Sequence, residues 1–166
     1  MDMVTQKDMD VRFAPARIIS SPGFTIGGLG QRYSQQSNQS IPELWLRFAE
    51  HVGKVPGQIG GETYGLCCNP DGNGGFEYIA GVEVRSISLL PKDFRYYTLA
   101  PQRYAVFEHQ GDVRKIGHTF EKIWKQWLPA SGEEAADAPE FERYGADFDP
   151  DCRDAMVEIW LPLKPS

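Results

Sequence analysis

The tripeptide Val82-Glu83-Val84 returns as Val157-Glu158-Ile159, 75 positions later and each time at the close of the same order of predicted elements. A repeat of nearly half the chain restricts the fold to two copies of one unit. The order in each copy predicts βαββ, with an acidic side chain at a corresponding point of both halves.

The helices test the repeat independently of the tripeptide. In the first copy Ile41, Leu44, Trp45, Phe48, Ala49 and Val52 recur at helical spacing and share one face. Ser40 followed by Glu43 reads as a capping box, with Pro42 in the first turn. In the second copy Val113, Ile116, Phe120, Ile123, Trp124, Trp127 and Leu128 form a similar stripe, opened by Asp112 and stopped by Pro129. Shifted by 75, Ile41 falls on Ile116, Trp45 on Phe120 and Phe48 on Ile123, so the apolar faces coincide.

Strand signals surround both helices in the same order. Thr25 to Ser34 opens the first copy, and Gly61 to Asn69 and Phe76 to Arg85 form a hairpin across Asp71-Gly72-Asn73-Gly74-Gly75. Gln102 to His109 opens the second, and Glu140 to Asp147 and Ala155 to Leu163 flank the turn Asp149-Pro150-Asp151. The expected fold class is α+β: tandem βαββ repeats in pseudo-twofold arrangement, antiparallel sheets, two main helices and a groove between the repeats. At 166 residues and 41% hydrophobic content the chain can bury one substantial core, and no long linker divides it. Residues 11–166 are therefore expected as one domain, repeat one over about 11–88 and repeat two over about 93–164, after a flexible segment at 1–10.

Charge and hydropathy narrow the partners. A net charge of −6 and a pI near 5.1 oppose a surface that tracks phosphates, so no direct nucleic-acid contact is expected. No apolar run approaches the roughly 20 residues of a membrane helix and the N-terminus has no apolar leader, which predicts a cytoplasmic protein with no membrane partner. The two repeats leave no room for a helix-turn-helix unit, so a stand-alone module is expected.

Several chemical motifs are excluded by spacing. Cys67 and Cys68 point to opposite faces of a strand and Cys152 is remote, which predicts reduced structural thiols and no metal. His51, His109 and His118 show no ligand spacing; His109, at a strand end, carries both an acid-base and a core-edge reading. Gly27-Gly28-Leu29-Gly30 lacks the pattern of a phosphate-binding loop. No cofactor is expected.

Acidic and aromatic strand residues remain. Val157, Ile159, Leu161 and Leu163 share the face that packs on helices, which turns Glu158 and Trp160 the other way. In the first copy Tyr78, Ala80, Val82 and Val84 share one face and Glu83 the other. Glu83 also fits a solvated outer face; Glu158 is the stronger candidate, because Trp160 beside it is a poor fit to water. Tyr64, Tyr104, Phe107, Trp124 and Tyr144 are candidate aromatic walls. Such a groove suits a flat hydrophobic cation, since aromatic faces attract cations by roughly 0.5–2 kcal/mol and a carboxylate adds long-range attraction.

Five blocks resemble one family. Phe76-Glu77-Tyr78-Ile79-Ala80-Gly81-Val82-Glu83-Val84, Tyr104-Ala105-Val106-Phe107-Glu108-His109-Gln110-Gly111, Ile123-Trp124-Lys125-Gln126-Trp127-Leu128-Pro129, Phe141-Glu142-Arg143-Tyr144 and Val157-Glu158-Ile159-Trp160-Leu161-Pro162 are similar to the GyrI-like effector-binding family. That bacterial family includes the ligand-binding domains of AraC-type and MerR-type multidrug regulators and small relatives of the DNA gyrase inhibitor. The resemblance, over about residues 10–164, implies a central pocket for amphipathic, often cationic, compounds and a buried glutamate that meets their charge. Its motif places that role on Glu158. The leading expectation is a small-molecule-binding protein acting as a sensor or sequestering module, alone or beside a separate regulator protein. One alternative is a hydrolase of a reactive electrophile, pairing Glu158 with Tyr64 or Tyr104; another is protein–protein inhibition of DNA gyrase.

Overall fold

Alternation along the two closing hairpins gives each an apolar face that only a helix can cover, and this decides the architecture. The computed structural model describes residues 13–149, 151–152 and 155–166; the expected flexible segment at 1–10 and Pro150 of the second hairpin turn lie outside the described residues. The elements run β1 (Arg17–Ser21), β2 (Phe24–Tyr33), α1 (Ile41–Ala49), β3 (Thr63–Cys68), β4 (Phe76–Val84), β5 (Arg95–Leu99) and β6 (Gln102–Gln110). A second helix follows as α2 (Ile116–Lys122), a π turn (Ile123–Trp127) and α3 (Leu128–Ser131), and β7 (Glu140–Tyr144) and β8 (Met156–Leu163) close the chain.

All eight strands join one antiparallel sheet in the order β1-β6-β8-β7-β3-β4-β2-β5, with both helices on one face. The order maps onto itself when β1 is exchanged for β5, β2 for β6, β3 for β7 and β4 for β8, which is the expected pseudo-twofold symmetry. At its centre β3 lies beside β7 with Gly65 opposite Glu142. The separate sheets expected for the two repeats are therefore one continuous sheet.

Two short strands, β1 and β5, were absent from the sequence expectation. Each crosses to the outer side of the other repeat, β1 onto β6 and β5 onto β2. The opening strand of repeat one is consequently covered over Phe24–Gly28 rather than exposed as an edge. Ion pairs clamp both crossings: Arg17 Nη2 to Glu158 Oε2 at 2.9 Å and Arg95 Nε to Glu77 Oε2 at 2.7 Å.

Pairing also corrects the repeated tripeptide. Tyr64 of β3 faces Gly81 of β4, and its symmetry counterpart Phe141 of β7 faces Trp160 of β8. Gly81 and Trp160 are then equivalent, which sets Glu158 against Ile79 and Glu83 against Pro162. The duplication is real, but the two glutamates occupy different points of it, because the structural offset at these strands is 79 positions, from Gly81 to Trp160, and not 75.

Helix ends depart from expectation for local reasons. Ser40 makes no side-chain capping bond, since a 3-10 turn at Asn38–Ser40 already leads into α1. Asp112 does cap, accepting from the Arg114 amide. Pro129 does not stop the second helix; lacking an N–H and crowding the carbonyl four residues earlier, it goes with the π turn just before it. The chain leaves the helix at Gly132, whose φ of 78° is left-handed.

The helix face holds two clusters. Leu44 and Phe48 pack with Tyr33, Tyr78, Ala80, Val82 and Val84, and Ile123 packs with Ala105, Phe107, Ile159, Leu161 and Leu163. Phe48 is fully buried. Phe48→Ala is expected to lower stability by about 3–5 kcal/mol in chemical denaturation, through lost transfer energy and the cavity left behind. On the open face lies a third cluster, with Tyr64, Tyr104, Phe141 and Trp160 at its centre.

Candidate functional site

Between the two helix-side clusters run the central strands β3 and β7, and their helix-facing residues are polar or small. On β7 the alternation Glu140, Glu142, Tyr144 points to the helices while Phe141 and Arg143 point away. On β3 the same face carries Gly65 and Cys67. α1 leans Trp45 toward this strip and the π turn presents Trp124.

Glu142 lies at the middle, on the pseudo-twofold axis. Tyr78 Oη donates to its Oε1 at 2.7 Å and Tyr144 Oη donates to the same oxygen at 2.9 Å. Trp45 Nε1 in turn donates to Tyr78 Oη at 3.0 Å. Oε2 accepts no hydrogen bond from the described residues, and since no buried polar atom there lacks a partner, it keeps some accessible surface. Glu140 is held at Oε2 by Trp124 Nε1, 3.3 Å away. None of the ion pairs among the described residues includes Glu140 or Glu142.

Burial without a counter-charge shapes the electrostatics. It raises the Glu142 carboxyl above its ordinary value of 4.5, against the opposing pull of the Tyr78 and Tyr144 hydrogen bonds. Burial also raises Glu140, with Glu142 adding repulsion. Tyr78, Tyr144 and Cys67 are all pushed up, first by burial and next by Glu142. They stay neutral at physiological pH, so the Cys67 thiol offers no thiolate. The walls are aromatic: Trp45 meets Tyr144 edge-on with centroids 5.1 Å apart, and Phe148 meets Tyr144 at 4.9 Å.

Gly65 makes the room. A Cβ there would run into the Tyr78 hydroxyl and lie 2.6 Å from Glu142 Oε1. The site thus needs a residue without a side chain on β3 directly opposite its carboxylate.

The structure divides the eight residues expected to line one groove between two faces. Trp124 and Tyr144 stand on the helix face, bonded to Glu140 and Glu142. Phe107 is buried beneath the second helix, 5.1 Å from Trp127. The other five lie on the open face. There Tyr104, Phe141 and Trp160 contact one another at centroid distances of 5.2 to 5.4 Å. Glu158 is compensated within the protein, accepting from Arg17 at 2.9 Å, Trp160 Nε1 at 3.1 Å and Arg143 at 3.4 Å. It contacts neither Tyr64 nor Tyr104, its expected partners in the hydrolase reading, among the described hydrogen bonds. Glu83 faces the same side, and its carboxylate makes no hydrogen bond among the described residues; its carbonyl accepts from the Ile59 amide at 2.8 Å. His109 is buried, its Nδ1 bonded to Thr119 Oγ1 at 2.7 Å and its Nε2 to the Asp112 carbonyl at 2.8 Å, which pins β6 to the second helix.

Glu140 and Glu142 escaped the sequence reading, although Phe141-Glu142-Arg143-Tyr144 was among its family blocks. The alternation Glu-Phe-Glu-Arg-Tyr does put two glutamates and a tyrosine on one face. Which face meets the helices follows from pairing with β8, where Phe141 sits opposite Trp160.

Comparison with known proteins agrees with this architecture. Over 155 residues, 92% of its length, the chain is 30% identical to the transcriptional regulator BrlR of Pseudomonas aeruginosa, and it spans only 57% of that protein. The structure of SAV2435 bound to tetraphenylphosphonium matches with a TM-score of 0.74 at 27% identity, covering 89% of this chain and 93% of that one. A Staphylococcus aureus MU50 protein named for transcription regulation matches at 0.74 and 26% identity, over 90% and 97%. The GyrI-like small molecule binding domain matches residues 15–164, and the chain belongs to that family.

Proposed function

We propose that this domain binds a hydrophobic cation in the cleft between its helices, with Glu142 meeting the positive charge. The observation that carries the reading is the state of Glu142: largely enclosed, bonded among the described residues to neutral tyrosine hydroxyls at one oxygen alone, and in none of their ion pairs. A carboxylate so placed is costly until a positive charge arrives. Trp45, Tyr78, Tyr144 and Trp124 supply ring faces and edges that favour an aromatic cation over a hydrated metal ion. The ligand of SAV2435, tetraphenylphosphonium, is of this class. Similarity to a transcriptional regulator makes sensing the first use of such binding, and sequestration the second.

The reading has a pH signature of definite sign. A carboxyl raised above 4.5 in the folded protein contributes stability that is fully present below the unfolded value and lost as pH rises through the folded one. Cation binding runs the other way, because it needs the ionised form. Tetraphenylphosphonium titrations followed by tryptophan fluorescence should therefore weaken on acidification at a pH above 4.5, where an ordinary glutamate is still ionised. Affinity that stays level down to that pH would remove Glu142 from the charge recognition.

A further inference from the structure

We infer a second ligand site on the opposite face of the sheet, fitted to a small monocationic arylalkylamine that rests on Tyr64, Phe141 and Trp160 and pairs with Glu83. A cavity of about 210 Å³ opens there beneath the turn at 21–23. Tyr64, Phe141 and Trp160 line it, with Phe24 above and Glu83 and Arg143 at the polar end.

Its shape follows from a break in the pseudo-symmetry. On repeat two, Phe141 faces Trp160 across the strands and the rings stack at 5.2 Å with 20° between planes. On repeat one the equivalent pair is Tyr64 and Gly81, so no ring meets Tyr64 from β4, and its ring contacts are Phe24 at 5.7 Å and Phe141 of β7 at 5.8 Å. The space beside Tyr64 stays open where its counterpart is filled.

Charge then selects the ligand. Arg143 is shared between Glu62 at 3.3 Å and Glu158 at 3.4 Å, and Glu158 also holds Arg17 at 2.9 Å. With Glu83, three carboxylates stand against two guanidiniums, and Glu83 is in none of the ion pairs among the described residues. Burial and the nearby Glu62 raise its carboxyl, with Arg143 opposing. The excess is one negative charge, on the side chain left without a partner. The cavity lies below the roughly 300–1,000 Å³ of drug-sized sites, which excludes a four-ring phosphonium and leaves space for one ring on a short chain. An ammonium reaching Glu83 while its ring packs against Tyr64 fits this opening, with Trp160, already stacked on Phe141 and held under Arg17, as its rigid wall.

The test uses 2-phenylethylamine against its neutral counterpart 2-phenylethanol, read by amide NMR shifts in the whole chain. Saturable binding of the amine should perturb Tyr64, Phe141 and Trp160, and Glu83→Gln should weaken it by about tenfold or more. Glu83 is only partly buried, so this variant should fold, which its thermal melt would verify. Glu142→Gln should leave amine affinity within about twofold, since that carboxylate serves the other face. Three results would each overturn the proposal: no saturable amine binding, equal affinity for the alcohol, or sensitivity to Glu142→Gln instead of Glu83→Gln. The last would place the amine in the helix-side cleft, and none of the three bears on tetraphenylphosphonium binding there.

Discussion

Glu142→Gln is expected to lower affinity for tetraphenylphosphonium by about 10- to 100-fold, close to 1.4–2.7 kcal/mol. The substitution keeps the volume of the side chain and an oxygen that can accept from Tyr78 and Tyr144, so the tyrosines remain where they are. What disappears is the negative charge, in a cleft with no other counter-charge than Glu140 at its edge. Stability should move oppositely. Burial disfavours the ionised form of the native carboxyl, as its raised pKa records, and the neutral amide removes that penalty. The variant should melt no lower than the native protein while binding less, a combination that damage to the fold cannot produce. Fluorescence titration beside thermal unfolding checks both halves, and unaltered affinity would remove charge pairing from the mechanism.

Gly65→Ala should have the second large effect, on stability and binding together. Its Cβ would occupy the place of the Tyr78 hydroxyl and press on Glu142 Oε1 at 2.6 Å. Tyr78 is buried and tied to both Trp45 and Glu142, so its displacement breaks two hydrogen bonds at once. Overpacking of this kind costs roughly 1–3 kcal/mol. Denaturation should show that loss, and tetraphenylphosphonium binding should fall at least as far as in Glu142→Gln. Native stability with native affinity would show that the cleft does not depend on this glycine.

Why these two residues carry the largest effects also explains what the sequence could reveal. The helices were legible because their apolar stripes repeat at 3.6 residues over several turns, and Leu44, Phe48 and Ile123 are buried as the stripes require. The hairpin faces were legible from period-two alternation: Ile159, Leu161 and Leu163 do meet the second helix, and Trp160 does turn away. β1 and β5 were not, because each is five residues long, largely exposed, and defined by a partner in the other repeat. Local pattern cannot report such pairing.

The same limit separates Glu158 from Glu142. Both are strand glutamates close to aromatics, and alternation with apolar residues alone favours Glu158, with Trp160 as its neighbour. The deciding fact is what lies across the strands. Arg17 arrives from the crossed edge strand and Arg143 from β7, and together they compensate Glu158. Opposite Glu142 stands Gly65, and its bonded neighbours are neutral phenols. Register decides which glutamate keeps an unmet charge, and register lies beyond a single sequence.

The central claim is that positive charge, and not aromatic shape alone, is recognised in the cleft between the helices. Tetraphenylphosphonium and tetraphenylborate present nearly the same four-ring surface with opposite charge, so calorimetric titration of the native protein with each isolates that term. The cation should bind and the anion should bind at least about 100-fold more weakly, given two carboxylates in the cleft. Equal affinity for the two ions would contradict the account.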